Sequence, residues 1–541
     1  MAEDEMMAGA AYWQGLVTEG QQAKRVPRFE DRLWLARVLS LLKTADHMAS
    51  GGILPVPIPR LAEFPMRPNL RAFQILAGNQ RASAILKAPT GCGKTDAALA
   101  FARANQAKNG RLIYILPFQA SLNAMFKRLV QFTTRPDAVD NDLVVGISHA
   151  KNLEFLTMFF ESAEFGRGQE PPYDARSLKS LAREVYYPVK VSTAHQVLRF
   201  LLYGKGWDSL LLELADAVMI FDEIHAYDPR VLGFMIGLMK ILRERFNVRF
   251  LIMTATIPTF IITLLQEHVF HDAPAPLLSL NPSESTDRAI IERHRHHVVL
   301  HDTCILDHVS SPGSLVVIKD RYQHGFTQLF VCNTVGTAQR VYELIKNDPS
   351  FDRDHVLLFH SRFNARDRNS KEERVIPGKR DLPATRILVA TQVVEVSLDI
   401  SYDFGYFEAA PIDAMIQRMG RVNRQGESRV DVTTLPNVHV FTKREYDGLI
   451  YDKDVVSRSI EHLRRLANHP LLEAEWDAVV DAVYPGFSTS EQAEFDHALR
   501  YQGIDGFADR FEAGLQQEWI AEIIEDVDHL IEILPAVCMA E

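Results

Sequence analysis

The chain has 541 residues, of which 47% are hydrophobic and 24% charged, and its formal net charge at pH 7 is −11. At about 150 residues per domain, this length predicts three or four domains. The composition is close to that of globular proteins, so no large disordered part is expected. The acidic balance excludes a histone-like, wholly basic nucleic-acid binder, but it leaves room for a basic track inside a cleft.

Cysteine usage and hydropathy predict a soluble, cytoplasmic protein with no membrane partner. The four cysteines form no C-x-x-C pair, so neither a zinc knuckle nor a disulfide framework is indicated; they are Cys92, Cys304, Cys332 and Cys538. Met1–Ala10 is acidic and lacks the basic and apolar regions of a signal peptide. The longest uncharged run, Phe250–Gln266, is shorter than the ~20 apolar residues of a membrane span, and we expect a buried strand, a loop and a helix there.

Apolar runs of strand length alternate with helical patterns along the chain. The runs are Arg111–Pro117, Ala217–Phe221, Arg249–Thr256, Gln328–Val335, His355–His360 and Arg386–Thr391. Val231–Leu242 and Thr337–Ile345 have helical periodicity. Continuous apolar runs are typical of strands buried on both faces, as in a parallel sheet covered by helices. The predicted class is therefore α/β.

Proline-rich stretches and composition shifts divide the chain into predicted domains. We expect a short helical segment over 1–52, a linker over 53–68 and a first strand group over 69–270. A second linker over 271–285 precedes a second strand group over 286–442. The remainder, 443–541, has mainly helical patterns, including a core-packed helix predicted over Gln516–Leu534.

A phosphate-binding loop is predicted at Ala88, Pro89, Thr90, Gly91, Cys92, Gly93, Lys94 and Thr95. The general pattern has Gly where this chain has Ala88, but its G-K-T ending is intact. The glycines let successive N–H groups face a β-phosphate, Lys94 adds charge for the β- and γ-phosphates, and the Thr95 hydroxyl can ligate Mg²⁺. The alternative is an ordinary Gly-rich turn before a helix.

The run Ala217–His225 is an apolar strand that ends in adjacent carboxylates. In a nucleotide hydrolase Asp222 would hold Mg²⁺, and Glu223 would orient and deprotonate the attacking water. The alternative is a strand that ends in solvated acids. Because a phosphate loop precedes this strand in the expected order, the pair favours ATP hydrolysis.

Two further patterns extend the predicted site. Thr254 and Thr256 end the next strand, where a hydroxyl-bearing turn can sense a γ-phosphate. Arg421 and Arg424 lie three residues apart, and we expect them on one face of a helix that follows the second strand group. Such arginines can stabilise a transferring phosphoryl group, whereas a basic helix alone is usually a solvated face.

Together these motifs resemble superfamily 2 nucleic-acid helicases from about Leu70 to Thr442. The resemblance implies two tandem RecA-like lobes that close on ATP and Mg²⁺, with a C-terminal mainly helical domain and a short N-terminal helical remnant. It implies that Gln74 recognises adenine and that Asp399 lies at the nucleotide. Gln417, Arg421 and Arg424 fill the catalytic motif VI. His225 of the D-E-x-H motif, with Thr254 and Thr256, would couple hydrolysis to movement.

The same resemblance implies a track for single-stranded DNA across both lobes. Pro117, Thr193, Thr334 and Thr391 match positions that contact the strand, either with side chains or through the backbone. Such phosphate contacts are insensitive to base sequence. The implied direction of movement is 3′ to 5′.

Several runs narrow the resemblance to the CRISPR-associated helicase–nuclease family of type I interference systems. They are FDEIHAYD (221–228), FHSRFNARDR (359–368), ATQVVEVSLDIS (390–401) and AAPIDAMIQRMGRVNRQG (409–426). This family implies recruitment by an RNA-guided surveillance complex and degradation of invading DNA.

The family's metal nuclease usually precedes the helicase lobes, and here the chain departs from the pattern. The segment around Asp46 resembles the last nuclease helix, but no histidine precedes it, and a metal site needs several converging ligands. We interpret His271, His301 and the cluster His294/His296/His297 as linker or surface residues. The expectation is that the nuclease is a separate chain or is missing from an N-terminally incomplete sequence.

Three alternatives stay open at this point. The chain can be another superfamily 2 motor, such as an RNA helicase or a restriction-type translocase. It can be a recruitment or scaffold protein that binds DNA and ATP without turnover. It can also be part of a complete nuclease, if the true start codon lies upstream.

Overall fold

The computed structural model describes residues 29–50, 58–133, 144–148, 156, 187–198, 207–375, 385–395, 399–424, 426, 429–443 and 450–500. The described strands are β1 (Ala84–Lys87), β2 (Leu112–Ile115), β3 (Val145–Ser148), β4 (Val189–Ser192), β5 (Val218–Asp222), β6 (Arg249–Thr254), β7 (Leu277–Leu278), β8 (His296–His301), β9 (Gln328–Val331), β10 (Val356–Phe359), β11 (Ile387–Ala390), β12 (Phe404–Glu408), β13 (Val438–Phe441) and β14 (Pro470–Leu471).

The described helices are α1 (Phe29–Ser50), α2 (Ala72–Asn79), α3 (Lys94–Asn105), α4 (Gln119–Thr133), α5 (Ala194–Leu198), α6 (Trp207–Leu214), α7 (Pro229–Phe246), α8 (Thr259–His268), α9 (Ser285–Ile291), α10 (Ile305–Ser310), α11 (Pro312–Gln323), α12 (Val335–Lys346), α13 (Ala365–Val375), α14 (Ile412–Met419), α15 (Lys453–Leu466), α16 (Glu475–Val483) and α17 (Thr489–Arg500). The predicted α/β class is confirmed, as are all six predicted strands and the helices within α7 and α12.

Lobe 1 is built on a parallel sheet in the order β3-β4-β2-β5-β6-β1-β7. Strand β6 pairs with both β1 and β5, and its last residue, Thr254, lies beside Lys87 at the end of β1. On the other side Asp222, at the end of β5, is in register with Met253. The three predicted motifs that follow β1, β5 and β6 therefore meet at one edge of the sheet.

Lobe 2 is built on a second sheet in the order β10-β11-β9-β12-β13-β8-β14. Its described strands are parallel except for β14, which runs antiparallel to β8. Strands β9, β10, β11 and β12 are buried along their whole length, as expected from uninterrupted apolar runs covered by helices on both faces, whereas β8 is partly exposed.

Helix α7 illustrates how local sequence sets the boundaries of an element. Asp228 accepts a hydrogen bond from the Val231 amide at 2.9 Å, and Pro229 occupies the first turn, where it costs no helical hydrogen bond. Asn247 ends the helix in the left-handed region at a φ of 52°. The apolar face between them packs on the sheet of lobe 1.

Both predicted linkers pack against lobe 1 where the structure describes them. In the segment 58–68, Leu61 and Phe64 are buried in the core of lobe 1. The segment 271–285 contributes β7, which extends the sheet beside β1. Proline and polar residues prevent long regular elements there, but they do not prevent apolar side chains from packing.

The described part of the predicted C-terminal domain also joins both lobes. Strand β14, α15 and α16 pack in the core of lobe 2, whereas α17 packs on α7 of lobe 1. A Cβ at Gly233 would lie 2.7 Å from the carbonyl oxygen of Phe495, so glycine is needed for this close helix contact. The helix predicted over Gln516–Leu534 lies outside the described residues. In the described part of the chain, no helix is long and apolar enough to cross a membrane.

Candidate nucleotide site between the lobes

A cleft of about 470 Å³ lies between the carboxyl edges of the two sheets. Its walls bring together most of the residues predicted for catalysis and nucleotide binding; they include Thr90, Gly91, Gly93, Lys94, Thr95, Asp222, Glu223, Asp399, Gln417, Arg421 and Arg424. The sequence prediction that the two lobes face each other across one site therefore agrees with the geometry.

The loop between β1 and α3 curls through two left-handed glycines, Gly91 at a φ of 77° and Gly93 at 98°. A Cβ at Gly93 would lie 2.5 Å from Gln74 Nε2, and one at Gly91 would lie 3.3 Å from Arg424 Cγ. The left-handed backbone conformation therefore favours glycine at these positions, and the surrounding space is tight. Helix α3 begins at Lys94, with its N-terminus directed at the cleft, where an anion is favoured.

The carboxylates at the end of β5 occupy different environments. Tyr114 donates a hydrogen bond to Asp222 Oδ2 at 3.2 Å, whereas Lys94 Nζ lies 3.0 Å from Glu223 Oε1. Burial, followed by the charge of Glu223, raises the pKa of Asp222 to about 7. Burial opposes ionisation of Glu223 as well, but Lys94 and His225 outweigh it and lower the pKa of Glu223. Glu223 is thus the ionised member of the pair.

The donor set at Asp222 fits a divalent cation. Asp222 Oδ1 is buried, and no hydrogen-bond partner for it is found among the described residues. Thr95, at the start of α3, lines the same cleft and supplies a hydroxyl. A carboxylate oxygen beside a hydroxyl and an incoming phosphate is the kind of oxygen ligation that Mg²⁺ prefers.

His225 connects the acidic strand end to the end of β6. Its Nδ1 and Nε2 form hydrogen bonds with Thr254 Oγ1 at 2.8 Å and Thr256 Oγ1 at 3.0 Å. Thr254 Oγ1 also donates to Glu223 Oε2 at 3.2 Å. The three predicted coupling residues therefore form one network, which ends on the carboxylate predicted as the base.

Arg421 and Arg424 lie in the cleft. The prediction that a helix carries both of them is wrong. Helix α14 ends at Met419, and Gly420 closes it at the P-loop, where a Cβ would lie 2.7 Å from Thr90 Oγ1. Both arginines follow in an irregular segment that is shaped by Asn423 at a φ of 45°.

The two arginines are held differently. Arg421 donates to the carbonyl oxygens of Val394 at 2.8 Å and Glu395 at 2.9 Å. Burial, followed by the charge of Arg424, lowers the pKa of Arg421 to about 9. Arg424 forms an ion pair with the exposed Asp399, at 3.3 Å, and lies over the P-loop. Gln417, in the last turn of α14, also lines the cleft.

Gln74 contacts the P-loop from α2. Its Nε2 donates to the carbonyl oxygen of Gly93 at 3.0 Å, and its Oε1 accepts from the Arg71 amide at 2.8 Å. The side chain is therefore fixed against the loop, and its proposed contact with adenine remains a prediction.

The four residues predicted to contact single-stranded DNA all follow β-strands, at the carboxyl edges of the two sheets. Pro117 follows β2 and lines the cleft, and Thr193 follows β4. Thr334 follows β9 and caps α12 by accepting from the Thr337 amide at 3.0 Å. Thr391 follows β11 and is only 2% exposed, so a strand would meet its neighbourhood rather than its hydroxyl.

Two polar residues of the site had no recognisable signal in the sequence. Tyr114 lies in the middle of an apolar strand and reaches Asp222 because β2 pairs with β5. Arg295, just before β8, donates to the carbonyl oxygen of Thr90 in the P-loop. Both contacts depend on elements that are distant in sequence.

The prediction that His296 is a linker or surface residue is wrong. This side chain is 3% exposed and bonds through Nε2 to the carbonyl oxygens of Met419 and Val422, at 2.8 and 3.0 Å. Burial, followed by the charge of Arg295, lowers its pKa to about 3. His296 is therefore a neutral core residue that anchors the segment after α14.

Two family profiles match this chain. The profile for DEAD/DEAH box helicases matches residues 69–264, and the profile for CRISPR-associated nuclease/helicase Cas3, C-terminal, matches residues 324–427. The first contains the P-loop and D-E-x-H motifs, and the second contains Arg421 and Arg424. In these two segments the chain is similar to DEAD/DEAH box helicases and to the C-terminal part of Cas3.

Curated Cas3 relatives extend the match beyond the profiles. The CRISPR-associated endonuclease/helicase Cas3 of Escherichia coli is 27% identical over 500 residues, covering 84% of this chain and 55% of the relative. The CRISPR-associated nuclease/helicase Cas3 of Methanothermobacter thermautotrophicus is 28% identical over 384 residues, covering 70% of this chain and 43% of the relative. The chain thus spans about half the length of the curated relatives it matches.

Solved Cas3 structures have the same fold. The ATP complex of T. fusca Cas3 superposes with a TM-score of 0.63 at 23% identity, covering 85% of this chain and 58% of that one. A pre-nicking CRISPR RNA-guided surveillance complex contains a chain that superposes with a TM-score of 0.54 at 20% identity, covering 81% of this chain and 56% of that one. At these identities the superpositions bear on the fold alone.

The N-terminal segment that resembles the end of a nuclease domain is described only in α1. Asp46 lies on an exposed part of this helix. Among the described residues, no group of three or more histidine, cysteine or acidic side chains is placed to hold a metal ion.

Proposed function

We propose that this Cas3-like chain is an ATP-dependent translocase and helicase on single-stranded DNA, acting in type I CRISPR interference. The observation that carries the proposal is one cleft in which Lys94, Thr95 and the two acids at the end of β5 face Arg421 and Arg424 from the other lobe. Nucleotide chemistry that needs both lobes gives a physical reason for the lobes to close and open with each turnover.

Each residue has a distinct part in the proposed hydrolysis. Lys94 binds the β- and γ-phosphates, while Thr95 and Asp222 would hold Mg²⁺, which neutralises phosphate charge when bound. Glu223, ionised because its pKa is lowered, orients the attacking water and accepts its proton. Arg421 and Arg424 stabilise the negative charge that develops on the transferring group.

The other nucleotide and coupling roles follow from the same family pattern. Gln74 would recognise adenine, and Asp399 would orient Arg424 at the phosphates. The network of His225, Thr254 and Thr256 ends on Glu223, so it can transmit the state of the γ-phosphate to the sheet of lobe 1.

The single-stranded DNA is proposed to cross the carboxyl edges of both sheets, near Pro117, Thr193, Thr334 and Thr391. Movement would be 3′ to 5′. A type I RNA-guided surveillance complex is the proposed recruiting partner. The unwound DNA would be degraded in the cytoplasm by a nuclease that is either a separate chain or a part missing from this sequence. These partners and the direction rest on the resemblance to Cas3.

The decisive experiment measures ATP turnover with no nucleic acid, with single-stranded DNA and with single-stranded RNA. Strong stimulation by DNA is expected, with displacement of a duplex that carries a 3′ overhang and not of one that carries a 5′ overhang. Preferential stimulation by RNA would favour an RNA helicase. Binding of ATP and DNA without turnover would favour a scaffold protein.

A further inference from the structure

Arg295 joins the two lobes at the nucleotide cleft. It lies just before β8, and its Nη1 donates to the carbonyl oxygens of Thr90 at 3.3 Å and Arg424 at 3.0 Å. Thr90 belongs to the P-loop of lobe 1, and Arg424 to the segment of lobe 2 that carries both catalytic arginines. One guanidinium group, 6% exposed, therefore ties the two sides of the site together.

Glu473 holds the opposite edge of this guanidinium. Arg295 Nε lies 2.5 Å from Glu473 Oε1, and Nη2 contacts the same carboxylate. The Glu473 side chain is 9% exposed and lies between β14 and α16, in the part of the chain that follows the helicase motifs. Because an isolated buried cation is strongly unfavourable, the orientation of Arg295 depends on this partner.

The backbone of Arg295 is anchored to the arginine-bearing segment as well. Its carbonyl oxygen accepts from Asn423 Nδ2 at 3.1 Å, and the next residue, His296, bonds to the carbonyl oxygen of Met419 at 2.8 Å. The guanidinium therefore projects from a fixed point. Because the backbone at Arg295 is fixed, any displacement of Glu473 would change the hydrogen bonds of the guanidinium to Thr90 and Arg424.

We propose that Arg295, held by Glu473, is a positioning residue that stabilises the closed, nucleotide-bound arrangement of the lobes. Through it the C-terminal part of the chain sets the affinity for nucleotide. The inference rests on the proposed ATPase function. Since Arg295 contacts backbone carbonyls of the two loops and not a reacting atom, its loss weakens the bound state and the transition state alike, which raises KM and spares kcat.

The test is the double variant Arg295→Met/Glu473→Leu, with the isosteric Glu473→Gln beside it. The double variant removes both members of the pair and leaves no buried unpaired charge, so folding is expected to be preserved. Loss of charge-assisted hydrogen bonds predicts a KM for ATP about tenfold higher in the double variant, with kcat changed by less than about threefold. Glu473→Gln is expected to raise KM in the same direction by a smaller factor. A thermal melt of each variant checks the fold.

The matched control is Asp481→Asn. Asp481, in α16, also links the C-terminal part to lobe 1, by accepting from the Thr259 amide and hydroxyl, each at 2.7 Å, at the start of α8. An unchanged KM in this variant supports the specific role of Arg295, whereas an equal rise assigns the effect to general lobe docking and overturns the proposal. An unchanged KM in the double variant also overturns it, with the ATPase function intact. A wild-type protein without ATP turnover removes both proposals.

Discussion

Lys94 Nζ and Glu223 Oε1 form an ion pair of 3.0 Å on the lobe 1 wall of the nucleotide cleft. The ammonium predicted to bind phosphate is thus already paired with the carboxylate predicted to activate water. A γ-phosphate would compete with Glu223 for Lys94, and its arrival would release the carboxylate toward the water. The pair therefore links nucleotide binding to preparation of the base.

Replacement of Lys94 by alanine is expected to abolish ATP turnover, because the loop loses its only side-chain cation for the phosphates. We expect a fall of at least about a hundredfold in DNA-stimulated ATPase, the scale of one strong electrostatic contact. The exposed Lys108, at the end of the same α/β unit, provides the control Lys108→Ala, which should keep full turnover. DNA-stimulated ATPase that survives Lys94→Ala would show that the nucleotide assignment is wrong.

Glu223→Gln is expected to separate binding from hydrolysis. The amide cannot accept the proton of water, so turnover should be lost. Because Lys94 is then freed from its ion pair, affinity for ATP should be unchanged or higher, and DNA binding should persist. Binding of a fluorescent ATP analogue, measured beside single-turnover hydrolysis, distinguishes these effects. Weaker analogue binding in this variant would contradict the competition inferred for Lys94.

Because its pKa is raised, Asp222 is predicted to lower the free energy of unfolding at neutral and higher pH when Mg²⁺ is absent. The folded protein holds the Asp222 proton from the ordinary pKa of 3.8 up to about 7, while the unfolded chain has already released it. Stability therefore falls as pH rises through this window. Asp222→Asn, which can still accept from Tyr114, should raise the Tm by a few degrees at about pH 8. At about pH 5 the gain should be much smaller.

The measurement is thermal unfolding of both proteins with EDTA and with Mg²⁺ plus a non-hydrolysable ATP analogue. Bound cation offsets the charge of Asp222, so ligand should stabilise the wild-type protein more than Asp222→Asn. An equal ligand-induced shift in the two proteins would argue against Asp222 as a metal ligand.

Arg424→Ala is expected to reduce kcat by about a thousandfold, the lower range for loss of an arginine finger. Arg464→Ala serves as the control, since Arg464 is half exposed on the outer face and pairs with Asp302. Steady-state ATPase at saturating DNA gives both values. A kcat within about threefold of wild type would remove Arg424 from the phosphoryl-stabilising role.

DNA binding is expected to be salt-sensitive despite the net charge of −11. A protein that grips a strand through its phosphates releases counterions, so log K falls linearly with log salt concentration. Fluorescence anisotropy with a single-stranded oligonucleotide at several salt concentrations measures the slope. Affinity that is independent of salt would contradict a phosphate track.

The sequence by itself determined the α/β class, the two strand groups and most of the residues that line the candidate nucleotide site. Phosphate binding at a helix N-terminus needs consecutive backbone amides and left-handed glycines. Gly91, Gly93 and Lys94 are therefore close together in the sequence and form one recognisable motif. The pattern of an apolar strand followed by Asp222 and Glu223 is equally local in the sequence. Parallel sheets then place the ends of such strands at a common edge.

Only the tertiary structure decided the contacts between distant segments. The order of strands brings Tyr114 to Asp222, which is 108 residues away, and the antiparallel pairing of β14 with β8 brings Glu473 to Arg295, 178 residues away. Helix α14 ends at Met419, and Gly420 lies close to Thr90 of the other lobe, so that Arg421 and Arg424 lie outside the helix that periodicity predicted. Periodicity reports which face of an element is apolar, and not which neighbour covers it.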